Sequence, residues 1–109
     1  MAERTEREAA YFALLRAREE LDGLRRYEEH LGDELRRLRR AEREEAALRA
    51  AAPERMRRIL RTSDGELTEI VRRRVALIED ELVRLPGRIE AAESFVAECE
   101  RHHDVLGGR

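Results

Sequence analysis

Between Val71 and Leu106 the residues that could face a core recur in alternating steps of four and three without a slip. They are Val71, Val75, Ile78, Leu82, Leu85, Ile89, Ala92, Val96, Cys99, His103 and Leu106. A repeat of 3.5 residues keeps one stripe of a long helix facing a second helix along its whole length. It is incompatible with strands, whose side chains alternate with period two. The pattern crosses Pro86-Gly87, a dipeptide that ordinarily stops a helix. A reverse turn there would reset the phase, so the preserved phase predicts a kinked helix that carries on. A three-helix bundle with a corner at Pro86 is the alternative.

The first half of the chain repeats the same alternation. Ala10, Leu14, Ala17, Leu21, Leu24, Glu28, Leu31, Leu35 and Leu38 form the stripe, with Glu28 as its one polar member. No Gly or Pro interrupts the chain between Thr5 and Gly23, and Gly23 and Gly32 lie off the stripe. Past Leu38 the pattern weakens across "RRAEREEAALRAAA", where Ala41, Leu48 and Ala52 are the remaining candidates. Pro53 suits the first turn of a fresh helix, because its missing N–H has no partner there in any case.

The connection "TSDGE" at residues 62–66 carries helix-start chemistry. Ser63 and Glu66 have the spacing of a capping box, and Asp64 and Glu66 fall where a helix dipole favours negative charge. The expected fold is therefore an all-α, antiparallel coiled-coil helical hairpin in a single domain, residues 1–109. Its expected elements are a long helix over about 5–51, a short one over about 54–61 and a long one over about 64–106.

A coiled-coil hairpin ending in acids, here Asp64 and Glu66, resembles in outline the N-terminal arm of the bacterial transcript-cleavage factors. Those arms reach into the secondary channel of RNA polymerase. The likeness covers the hairpin outline and these two acids, and the family's globular C-terminal domain has no counterpart here.

Composition agrees with long helices. Charged residues make up 44% of the 109 and aromatic residues 4%, while 41% are hydrophobic. Such a balance is too apolar for plain disorder and matches chains rich in Ala, Glu, Leu and Arg. All 23 basic residues are Arg, a bias produced either by codon usage in a GC-rich genome or by recognition of phosphate or carboxylate groups. One cysteine, no signal-peptide core and no run of transmembrane length point to a bacterial cytoplasm.

Charge is unevenly shared along the chain. Folding at 62–65 puts 36–91 in one half, with 15 Arg against 11 acids, net +4. The remainder holds 8 Arg against 14 acids, net −6. Arg55, Arg57, Arg58, Arg61, Arg72, Arg73 and Arg74 in the basic half are candidate contacts for phosphate or for a partner. All four aromatic residues, Tyr11, Phe12, Tyr27 and Phe95, lie in the acidic half, so bases would find nothing to stack on near the Arg cluster.

Groups that could carry chemistry are sparse. Cys99, His102 and His103 are zinc-type ligands within about one helical turn, but a structural site needs a fourth, and packing explains Cys99 and His103. His30 is read as a surface residue. Adjacent carboxylates such as Glu28 and Glu29 need a buried, perturbed setting for acid–base work, and a helical hairpin offers no obvious pocket. The expectation is no enzymatic activity, no cofactor and no metal.

Tyr11, Phe12, Leu14 and Leu15 are consecutive or nearly consecutive apolar residues that cannot share one stripe. Tyr11, Phe12 and Leu15 are the expected self-association contacts, giving a homodimer with a four-helix arrangement. The expected function is a non-enzymatic interaction or scaffold module mediating protein–protein contacts. The alternative is a nucleic-acid-associated or transcription-related regulator that uses the Arg-rich half.

Overall fold

The computed structural model describes residues 2–63 and 65–107, apart from the side chains of Glu3, Leu60, Thr62, Ser63 and Glu66. It is an all-α helical hairpin in which α1 (Ala2–Ala51) packs against α3 (Gly65–Leu106), with α2 (Glu54–Ser63) between them in the chain. The side chains of the expected capping box, Ser63 and Glu66, and the whole of Asp64 lie outside what the structure describes. α3 runs through Pro86, so there is no corner at that position.

Residues of high helix propensity (Ala, Leu, Arg, Glu) fill both long elements, and Arg4 with Glu8 and Arg73 with Glu69 add ion pairs one turn apart. These exposed pairs contribute a few tenths of a kcal/mol each. Most of the stability of such helices comes instead from burying the apolar stripe.

Two compact units make up the chain. The first comprises Met1–Glu29 and Arg84–Arg109. Its core is Leu14, Ala17, Leu21 and Val96, with Ile89, Ala92 and Cys99 packed against it. Leu85 has no exposed surface at all. Arg18 pairs with Glu100 at 3.4 Å and Arg25 with Glu93 at 3.7 Å. Seven residues forward on α1 (18 to 25) thus match seven back on α3 (100 to 93), which is the antiparallel heptad step.

The second unit is His30–Val83. Leu31 and Ile78 are buried almost completely, and Leu35, Leu38, Val71, Val75 and Leu82 are half-buried. Arg39 pairs with Glu79 at 2.8 Å. Arg74 donates to both oxygens of Glu34, each at 2.8 Å.

Every residue of the two stripes, Ala10 to Leu38 and Val71 to Leu106, is buried or half-buried, including Glu28 and His103. Beyond Leu38 the expectation needs correction. Ala41 and Leu48 are exposed, Leu48 by 70%. The half-buried positions are Glu42, Glu45, Arg49 and Ala52. From Leu38 these continue the same four-three alternation, so the phase of α1 is kept while its chemistry turns polar. Apolar identity points to the wrong residues here, and helical phase points to the right ones.

Candidate functional site

Two surfaces stand out, one in each unit. In the first unit, Tyr11 and Phe12 follow each other on α1 and are 46% and 64% exposed. Their rings meet edge to face with centroids 5.7 Å apart. Tyr11 also lies 5.8 Å from the ring of His103 on α3. Leu15 is half-buried, so it belongs partly to the hairpin's own packing. Ala9, Ala13 and Ala17 line a depression of about 400 Å³ with Phe12, Arg16, Glu20 and Phe95. Ala9 and Ala13 also line a second depression, with Ala10, His102 and Leu106. Phe95, 51% exposed, was not among the expected association contacts. The signal was its place beside stripe residue Val96, which turns a large ring toward solvent.

The arrangement follows from helical geometry. Leu14 and Ala17 take the inward stripe, so Phe12 and Ala13 must emerge on the outer flank. Small side chains at Ala9 and Ala13 leave backbone open to close approach, while two phenyl rings stand proud of it. Aromatic area of this kind is costly to keep in water and effective when buried.

In the second unit the seven candidate arginines do not converge on one point. Arg73 is spent on Glu69 and Arg74 on Glu34. Arg55, Arg58 and Arg72 are exposed. Arg57 donates from Nε to the Ala52 carbonyl at 2.8 Å. Arg61 reaches the Arg57 carbonyl at 3.4 Å. Together with Ala50 and Arg49, a residue absent from the expected set, these two line a depression of about 380 Å³. Arg49 itself donates to Glu45 at 2.7 Å and to Thr68 at 3.4 Å.

The remaining candidates occupy ordinary positions. Cys99 packs against the first unit's core, His103 is half-buried beside Tyr11, and His102 is exposed. No group of three His, Cys, Asp or Glu side chains suited to a metal ion occurs among the described residues. His30 stands 4.0 Å from Glu34 and is exposed. Among the described residues no helix is long and apolar enough to cross a membrane.

The carboxyl of Glu34 has a clearly perturbed acidity. Its hydrogen bonds from Arg74 hold it below the ordinary glutamate range against a smaller opposing effect of desolvation. The charges of Arg74, His30 and Arg37 act in the same direction as the hydrogen bonds.

No family model matches the chain, and comparisons with curated proteins and with solved structures likewise find no match.

Proposed function

We propose that the protein is a non-enzymatic coiled-coil interaction module of the cytoplasm that associates with itself through the outer flank of its first unit. One observation carries this reading: Phe12 and Phe95, each more than half exposed, rim a depression lined by Ala9, Ala13 and Ala17. A contiguous apolar patch on a small chain is characteristic of an interaction surface. Protruding rings beside a strip of alanines suit a two-fold contact, in which each copy's rings enter the other's depression. A homodimer of this kind brings four helices together. The heptad-spaced pairs Arg18–Glu100 and Arg25–Glu93 support the coiled-coil part of the proposal.

Sedimentation equilibrium at micromolar concentration tests the reading. A dimer is expected for the native chain and a helical monomer for the double substitution Phe12→Glu with Phe95→Glu. Both sites are exposed, so the hairpin itself should survive the change. A native monomer, or a dimer indifferent to both substitutions, overturns it. Nucleic-acid binding through the Arg-rich half is the second reading, favoured by Arg55 and Arg72, which are exposed and make no ion pair among the described residues. Phosphate contacts would make affinity fall steeply with salt, whereas an apolar dimer contact would change little.

A further inference from the structure

We propose that the depression formed by Arg49, Arg57 and Arg61, where α1 gives way to α2, is a binding site for a phosphate group with a free end. The inference concerns a different surface from the self-association flank and does not depend on it.

Arg57 and Arg61 are four residues apart on a ten-residue helix, so their side chains share one face. Like charges at that spacing repel, yet both line the same depression with a third guanidinium. Neither has a carboxylate partner among the described residues, whereas Arg36, Arg39, Arg73 and Arg74 each pair with an acid. Their hydrogen bonds are to backbone. Arg57 Nε is held by the Ala52 carbonyl at 2.8 Å, just past the end of α1, and Arg61 Nε points to the Arg57 carbonyl.

That use leaves particular donors over. With Nε engaged, each guanidinium keeps its end-on pair of terminal amino groups, a fork matched to two oxygens of one anion. A carboxylate has only two oxygens and satisfies one fork. A tetrahedral phosphate has enough oxygens to take both, and its second negative charge answers a cluster rather than a single arginine. Arg49 closes the wall of the depression while its own amino group is committed to Glu45 and Thr68. Glu45 offsets the charge of this third arginine, so Arg57 and Arg61 carry the contact with the anion. Pro53 precedes α2, and its carbonyl accepts from the amides of Met56 and Arg57 at 2.9 and 3.0 Å. This first turn fixes where Arg57 leaves the helix.

The test follows the arginine Nε–Hε resonances of the full chain by NMR while inorganic phosphate is added at constant ionic strength. Saturable shifts are expected at Arg57 and Arg61. Arg36, Arg37 and Arg40, which line another depression with Asp33, should show none. Arg57→Gln and, separately, Arg61→Gln should each weaken binding about ten-fold or more. Arg57→Lys keeps the charge but loses the fork, and should weaken it as well. Arg61→Gln guards against a folding defect, since that side chain's bond lies within its own helix. Co-sedimentation with phosphatidic-acid vesicles but not phosphatidylglycerol vesicles identifies a lipid-borne phosphate. Its absence alongside saturable phosphate shifts identifies a soluble ligand. Shifts that spread evenly over all the arginines, no saturation, or full binding by Arg57→Lys overturns the proposal.

Discussion

Glu45 accepts a 2.7 Å hydrogen bond from Arg49 one turn further along α1, and both side chains are half-buried where the helical phase calls for apolar residues. Arg49 also reaches Thr68 of α3 at 3.4 Å, so a polar bridge replaces the apolar contact made elsewhere along the stripe. Polar replacement of this kind gives up burial energy for a specific pairing of the two helices.

Glu42 occupies the preceding inward position and has no such compensation. Its Oε1 is buried without a hydrogen-bond partner. Leaving a buried acceptor unmade costs about 1–3 kcal/mol, while an apolar side chain of similar size recovers burial. Glu42→Leu should therefore stabilise the protein by about 1–2 kcal/mol, read as a higher urea midpoint at unchanged slope. A lower midpoint would mean that the carboxylate makes a contact worth more than its burial costs.

The contrast between these residues and the two apolar stripes explains what was legible in the sequence. Ala10 to Leu38 and Val71 to Leu106 could be read because phase and chemistry agree at nearly every step. Beyond Leu38 they part: Ala41 and Leu48 have the right chemistry in the wrong phase, and Glu42, Glu45 and Arg49 the reverse. The phase won because one continuous helix presents one face to its neighbour regardless of what that face carries. The first unit's flank was legible at Tyr11 and Phe12, whose succession no single stripe can absorb. The arginine depression was only half legible. Arg57 and Arg61 belonged to an obvious basic run, but Arg49 joins them through the chain's path at Ala52 and Pro53, which no spacing rule encodes.

Pro86 is the clearest local conflict within α3. It sits inside the helix, where it cannot donate to the carbonyl four residues earlier and its ring crowds that same group. Pro86 is exposed, so the ring has little packing to lose. Pro86→Ala should raise stability by roughly 1–3 kcal/mol. Gly23, within α1, has open space around an added Cβ, and Gly23→Ala should add about 0.5–1 kcal/mol. Thermal melts of both variants check this. A loss at Pro86→Ala would show that the path set by proline is needed to seat Leu85 and Ile89.

Leu85 and Val83 make a matched test of the stripe itself. Leu85 is fully buried and Val83 is 79% exposed. Leu85→Ala should cost about 2–5 kcal/mol, through lost burial and the cavity left behind. Val83→Ala should stay within about 0.5 kcal/mol of the native chain. Equal effects in chemical denaturation would mean that the two residues do not differ in burial in solution.

Glu34 predicts how stability depends on acidity. Arg74 binds both of its oxygens and holds its carboxyl below the ordinary glutamate range. A carboxylate whose pKa is lower in the folded chain stabilises the fold above its unfolded value. That contribution is lost as pH falls through the lowered folded value. Near neutral pH, Glu34→Gln should therefore melt below the native protein. The gap should narrow below about pH 4, the ordinary range for glutamate, as the native carboxyl takes up its proton. Neutral-pH salt should narrow it too, because the pair is partly open to solvent and screened there. Melting curves of both proteins from pH 7 downward give the comparison. A gap that stays constant through the acid range would assign the loss to packing of Glu34 rather than to its charge.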